Sequence, residues 1–373
     1  MTSPKTTLRL TPLAETLPAA VPFVGPETQE RARGAQFDAR LGANESGFGP
    51  SPKAIAAMAD AAHDAWMYGD PESYDLRVAL ADDLGVDADQ IMMGEGIDGL
   101  LGTLVRLFVG QGDPVVTSAG AYPTFNYHVA GFGGALHTVP YRDDHEDPEA
   151  LLAKAAEVGA KLIYLANPDN PMGSWYDAAR MEAVVAAIPC GSLLVLDEAY
   201  IDLAPDGTAP QIDPETPGVI RMRTFSKGYG LAGARVGYAI GPRALITAFH
   251  KVRNHFGMSR VSQAGALAAL RDPDWLEHVR AQVAISRAEI ARIGAAHRLR
   301  ALPSAANFVT LDCGRDGDFA RALVAALSAE GIFVRMPLKA PQDRCIRVSC
   351  GQKAEMMAFE RALPRALACC TEI

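Results

Sequence analysis

A chain of 373 residues, 49% hydrophobic and 21% charged, has the composition of an ordinary folded protein, and its length favours one large domain plus a smaller one. The net charge of −9, from 35 basic and 44 acidic residues with no block of like sign, leaves no basic face for a nucleic acid. No leader-like or membrane-spanning apolar run occurs, and six cysteines without C-x-x-C spacing read as reduced thiols, so the cytoplasm is the expected compartment and no metal site is expected.

Residues 1 to 36 read as irregular, because Pro12, Pro18, Pro22 and Pro26 favour extended or turn backbone. The expected division is an arm over 1–40 packing on a small domain or a partner subunit, a large domain over 41–272 and a small one over 273–373. Leu41 to Pro50 is a polar, glycine-rich loop holding Asn44, and Ser51 with Pro52 marks the start of a helix. Tyr68 opens a turn that runs to Tyr74, before a helix with Leu76, Leu80 and Leu84 on one face.

Ile91 to Gly99 contains G-x-G-x-x-G between a strand and a helix, the pattern of a dinucleotide site. Such a site needs an acid at the end of the next strand to hold a ribose, and Pro114 to Thr117 runs instead into Ser118-Ala119-Gly120. What survives is the shared physics: free amides at a helix N-terminus bind a phosphate, whichever cofactor carries it. Phe125, in the stretch Ala121 to Tyr127, reads either as core or as a ring beside a cofactor.

Lys161 to Ala166 has the pattern of a buried strand and ends in Asn167-Pro168-Asp169-Asn170-Pro171, where two X-Pro steps fix an extended turn able to hold the Asn170 amide in place. Ser192 to Asp197 is a second buried strand closed by an acid. No G-x-x-x-x-G-K-[ST] loop exists to make Asp197 a magnesium residue, so the alternative is a carboxylate facing a pyridinium nitrogen, with Tyr200 nearby. After a third strand, Lys227 stands between Ser226 and a glycine-rich turn, with Thr224 before it and Arg235 beyond. A lysine among positive charge loses its proton readily, and hydroxyls with a guanidinium suit a phosphate monoester. Together they point to a covalent site for pyridoxal phosphate.

Arg243 to Asp272 reads as two helices broken around His255, which is either a satisfied loop histidine or a substrate-side residue. A long helix toward His297 then leads to alternating strands and helices, with Arg335 and Arg347 each in a strand pattern. Strand ends carrying Phe125, Asn170, Asp197 and Lys227 in that order describe an open, mainly parallel sheet with its site at the carboxyl edge.

The stretch Thr-Phe-Ser-Lys-Gly-Tyr-Gly-Leu-Ala-Gly-Ala-Arg, Thr224 to Arg235, resembles the cofactor-lysine motif of fold-type I pyridoxal-phosphate aminotransferases, most closely the histidinol-phosphate branch. The resemblance extends from about Leu41 to about Gly351. It implies an α/β, aspartate-aminotransferase-like fold with a seven-stranded, mainly parallel sheet in the large domain, a smaller C-terminal α/β domain, and a homodimer with shared sites.

The resemblance also implies roles. Lys227 forms the Schiff base, Asp197 faces the ring nitrogen, and Asn170 and Tyr200 share the phenolic oxygen. Phe125 stacks on the ring. Thr224, Ser226, Arg235 and the amides of Ile97 and Asp98 hold the phosphate, together with Tyr68 from the neighbouring subunit. Arg347 pairs with the substrate's anionic group, and Arg335 and Asn44 lie near the substrate. Asp169 and Met172 depart from the family's Asn-Asn-Pro-Thr-Gly, and Phe23 stands where the family has a tyrosine that binds the substrate phosphate.

The expected function is amino transfer between an amino substrate and a 2-oxo acid, with histidinol phosphate and 2-oxoglutarate as the family-typical pair. Phe23 favours an aromatic or other amino acid as an alternative. A phosphothreonine decarboxylase-like enzyme and an NAD-dependent dehydrogenase are more distant ones.

Overall fold

The structure, a computed structural model, describes residues 9–19 and 24–370. Strand β1 (Ala39–Arg40) precedes the strands of a seven-stranded sheet: β2 (Ile91–Gly94), β3 (Pro114–Ser118), β4 (Ala135–Val139), β5 (Leu162–Ala166), β6 (Leu193–Asp197), β7 (Val219–Thr224) and β8 (Gly237–Ile240). Its order is β2-β8-β7-β6-β5-β3-β4. Strand β8 runs antiparallel to both of its neighbours and every other pair is parallel.

The central strands are apolar runs because helices cover both faces of the sheet. Alternation divides β5 between two cores: Leu162, Tyr164 and Ala166 pack with Leu100, Leu101 and Leu104 of the helix Gly96–Phe108. Ile163 and Leu165 point the other way, against Leu151 and Met181 of the helices Pro148–Val158 and Ala178–Ala186. Parallel strands joined by such crossovers end at one edge, and in register Ala166 of β5 lies beside Asp197 of β6.

The rest of the chain forms β9 (Arg300–Ala301), β10 (Phe308–Asp312), β11 (Ile332–Phe333) and β12 (Cys345–Ser349). Strand β10 lies between β12 and β9, antiparallel to both, while β1 pairs in parallel with β11, tying the amino-terminal segment to this carboxyl-terminal unit. The helices Pro273–Ala296, Gly317–Ala329 and Lys353–Cys370 pack on these strands around one apolar core that includes Val283, Leu323, Ile346 and Phe359. Among the described residues, no helix is long and apolar enough to cross a membrane.

The arm departs from the irregular backbone expected for it. Its described part holds two short helices, Pro12–Thr16 and Pro26–Arg33. Both begin with proline at the first helical turn, where the missing N–H costs nothing, so residues that read as breakers are helix starts.

Candidate active site

A cavity of about 900 Å3 opens where β5, β6 and β7 end against the carboxyl-terminal unit. Lys227 lies on its wall, three residues after β7 stops at Thr224. Its Nζ donates to the Asn44 carbonyl at 2.9 Å and stands 5.5 Å from the centre of the Tyr200 ring. Burial, followed by the positive charge of Arg347, lowers its pKa to about 8. The neutral, nucleophilic form of this amine is therefore far more accessible near physiological pH than that of an ordinary lysine.

Asp197, the last residue of β6, is 4% exposed. Its Oδ2 accepts from the Tyr164 hydroxyl at 2.6 Å and its Oδ1 from the Ala199 amide at 2.9 Å. Burial raises its pKa to about 6, against the opposing pull of those two bonds. An acid beside a cavity, held ionised by fixed donors, is suited to a cationic ring nitrogen.

A polar network links Asp197's side of the cavity to the opposite wall. The Tyr200 hydroxyl accepts from Asn44 Nδ2 at 3.2 Å and from Asn170 Nδ2 at 3.3 Å, and Asn170 Oδ1 accepts from Arg347 Nη1. Arg347 Nη2 donates to the Gly42 carbonyl at 3.1 Å, and its guanidinium sits 5.2 Å from the Phe308 ring centre. Burial lowers its pKa to about 10. Arg347 Nε is buried with no hydrogen-bond partner among the described residues. Arg335 enters the same cavity, its backbone bridging that of Arg347 and its Nη2 donating to the Val24 carbonyl at 2.8 Å.

At the other end the hydroxyls of Thr224 and Ser226 lie 2.9 Å apart, and Arg235 Nη1 reaches Ser226 Oγ at 3.4 Å. Ile97 and Asp98, in the first turn of the helix Gly96–Phe108, line the cavity beside them. The glycines here leave room for this approach. A Cβ on Gly96 would come within 2.5 Å of Arg235 Nη2, and one on Gly237 within 2.9 Å of the Ile97 nitrogen. Two hydroxyls, a guanidinium and a helix N-terminus make an anion seat.

These residues fit pyridoxal phosphate. Its phosphate matches the seat, its aldehyde matches the amine of Lys227, and its ring nitrogen and phenolic oxygen match the acid of Asp197 and the Asn170–Tyr200 pair.

Phe125 requires correction. It lies within the core at 0% exposure, not on the cavity wall, and stacks on Tyr164 with ring centres 4.7 Å apart and planes 18° apart. The helix Pro123–Gly131 turns Phe125 inward on the side of Val129, one helical turn on, while Tyr122, just before that helix, is among the aromatic residues that line the cavity. Sequence reading passed over Tyr122, although it precedes a helix-starting proline after a strand end. It also missed Tyr164, whose place inside an apolar strand gives no sign that its hydroxyl reaches Asp197.

Tyr68 is 77% exposed, its ring tilted against that of Phe256, and lies away from this chain's own cavity wall. His255 is exposed and also lies off that wall. Phe23 lies outside the described residues.

Comparison with known proteins places the chain in context. The family model for class I and II aminotransferases matches residues 39–363. The histidinol-phosphate aminotransferase of Anaeromyxobacter sp. (strain Fw109-5) is 36% identical over 363 residues, covering 95% of this chain and 98% of that protein. The crystal structure of histidinol-phosphate aminotransferase from Sinorhizobium meliloti in complex with pyridoxal-5'-phosphate is 54% identical, with a TM-score of 0.94 over 98% of this chain and 99% of that one. Aspartate aminotransferase from Thermus thermophilus with maleate, 20% identical with a TM-score of 0.79 over 97% of this chain and 99% of that one, shares the fold.

Proposed function

The chain belongs to the class I and II aminotransferases, and from that premise we propose that it moves an amino group between histidinol phosphate and a 2-oxo acid, 2-oxoglutarate being the family-typical acceptor. The observation that carries the donor is the convergence of Arg335 and Arg347. Their main chains bridge, both side chains line one cavity, and the buried Nε of Arg347 has no partner among the described residues. Two guanidinium groups on one wall suit the phosphate of the donor and, in the second half of the reaction, a carboxylate of the acceptor.

Pyridoxal phosphate, when bound, supplies an aldehyde that takes up the amino group and a ring that accepts the electrons left on the substrate carbon. The remaining work falls to the chain. Thr224, Ser226, Arg235 and the amides of Ile97 and Asp98 would hold the phosphate end. Asp197 would keep the ring nitrogen charged, while Asn170 and Tyr200 would orient the phenolic oxygen. Lys227 Nζ, on the cavity wall with its pKa lowered, is placed to take the proton from the amino-bearing carbon of the donor, hold it on the amine, and return it to the carbon that the cofactor's aldehyde would supply. Arg347 and Arg335 fix the substrate so that the bond to that proton faces Lys227.

The active unit is proposed to be a cytoplasmic homodimer, with the arm, large and small domains divided near residues 40 and 272. Exposed Tyr68, with Trp66 at 81% and Phe256 at 54%, supplies a face through which Tyr68 reaches the neighbour's phosphate seat.

A donor panel tests the reading. Purified holoenzyme mixed with histidinol phosphate, phenylalanine, tyrosine or aspartate is followed by loss of the bound-cofactor absorbance. Rapid loss with histidinol phosphate alone is expected. Rapid loss with phenylalanine or tyrosine and none with histidinol phosphate replaces it with an aromatic aminotransferase.

A further inference from the structure

We propose that Tyr164 is a positioning residue for the reaction, holding Asp197 ionised and in one orientation toward the cofactor ring, with Phe125 as the support that fixes Tyr164. The inference rests on the reading of the cavity as a pyridoxal-phosphate site. The Tyr164 hydroxyl donates to Asp197 Oδ2 at 2.6 Å, and Tyr164 is fully buried in the middle of β5, so its ring has no freedom to leave. Phe125 covers the ring at 4.7 Å in a stacked arrangement, which gives this residue a task one layer behind the one its sequence position implied.

The need for such a support follows from the surroundings of Asp197. Among the described residues, the groups whose charge or hydroxyl bears most on its carboxylate include Glu198 next to it, Lys227 from the turn after β7, Tyr164 from β5, Tyr122 from the turn after β3, Tyr200 three residues on, and Glu146. Lys227 is the single cation among them, and burial lowers its own pKa. Glu198 and Glu146, where ionised, disfavour a further negative charge. Arg221 and Arg223 are taken up by Glu198, which they grip from two sides. Against burial, Asp197 therefore depends on two hydrogen-bond donors, the Ala199 amide and the Tyr164 hydroxyl. Only the second belongs to a side chain and can be removed.

Tyr164→Phe keeps the ring and deletes the hydroxyl. Without it, Asp197 Oδ2 is a buried acceptor lacking its partner, and the carboxyl holds a proton to higher pH. The effect reads on cofactor affinity: apo-enzyme titrated with pyridoxal phosphate from pH 5.5 to 8.5, followed by tryptophan fluorescence. The variant is expected to bind about ten- to a hundredfold more weakly at pH 6, with the gap narrowing toward pH 8.5 as Asp197 ionises. Phe125→Leu, which loosens the Tyr164 ring but keeps its hydroxyl, is expected to shift the profile in the same direction by less.

A Tyr164→Phe profile that overlies the wild type overturns the proposal. Equal weakening at every pH assigns Tyr164 a packing role only, and also overturns it. Wild-type protein that binds no pyridoxal phosphate at any pH overturns the cofactor reading itself and this inference with it, an outcome separable from the other two.

Discussion

The amine of Lys227 is tethered to the main-chain carbonyl of Asn44, 2.9 Å away, and that same carbonyl accepts from Asn307 Nδ2 at 3.1 Å. Asn44 adopts a left-handed backbone conformation, with φ of 56°, and is locked there by Ser349, which accepts from its amide and donates to its side-chain oxygen. The loop before the first long helix therefore joins the lysine to the carboxyl-terminal unit. Anything that displaces Lys227 from this carbonyl is felt by both.

Lys227→Ala removes the amine while leaving Asp197, Tyr200 and Arg235 in place. Amino transfer is expected to fall at least a hundredfold to ten-thousandfold, the range for loss of a positioned general base. Borohydride treatment followed by mass spectrometry is expected to trap cofactor on wild-type protein and none on the variant.

Lys227 has its pKa lowered to about 8, with burial first and the Arg347 charge second among the causes. The rate at which apo-enzyme takes up cofactor is expected to rise with pH through about 8, as the amine loses its proton. Arg347→Gln removes a repelling cation, so the midpoint moves to higher pH. A midpoint that stays put or moves down, measured by stopped-flow absorbance, contradicts the assignment.

Arg347 reaches both the Asn170 side chain and the Gly42 carbonyl. Arg347→Lys keeps a charge but loses the planar fork, and KM for a phosphorylated donor is expected to rise about tenfold or more, equivalent to roughly 1.4 kcal/mol. Arg347→Ala is expected to cost more, with kcat reduced as well because Asn170 loses its anchor. Steady-state kinetics on both variants gives the comparison.

Glu146 and Asp169 form a buried acid pair behind the Asn170 turn. Glu146 accepts from Ser118 Oγ and the Ala166 amide, and Asp169 from the Tyr141 hydroxyl and the Met172 amide. Burial raises both above the ordinary carboxylate range, and their mutual proximity holds Glu146 there. Because the folded pKa values lie above the unfolded ones, the folded state binds more protons in between. Stability is full below the unfolded values and is lost as pH climbs through the folded ones. Glu146→Gln keeps the shape without the charge, so its Tm is expected to fall less than that of the wild type as pH rises above the ordinary carboxylate range, by roughly 2 °C for each kcal/mol relieved. Parallel Tm profiles would show that the pair carries no such linkage.

Tyr68 stands 77% exposed on its own chain. If it completes the neighbour's phosphate seat, mixing Tyr68→Ala and Lys227→Ala proteins under conditions that exchange subunits restores activity, because one of the two sites in the mixed dimer is intact. Absence of any recovery, with dimers confirmed by sedimentation, removes Tyr68 from the site.

Residues whose role is tied to a strand end or a fixed turn were legible in the chain itself. Asp197 closes a run of apolar residues, Asn170 stands between two X-Pro steps, and Lys227 is set among hydroxyls and glycines, and each lines the cavity. The parallel sheet was legible for the same reason, since buried strands separated by amphipathic helices admit few topologies. The amino-terminal arm was misread because proline has two meanings, breaker and first-turn residue, and only the backbone that follows decides between them.

Sequence alone thus determined which chemical groups are present and where along the chain the backbone must turn to present them. Tertiary structure decided which side of each element faces the cavity. Phe125 and Tyr122 differ by three positions, and a helix that starts between them sends one ring into the core and leaves the other at the cavity. The bond from Tyr164 to Asp197 spans 33 residues and two strands, a distance over which hydrophobic pattern fixes burial but not the partner of a hydroxyl.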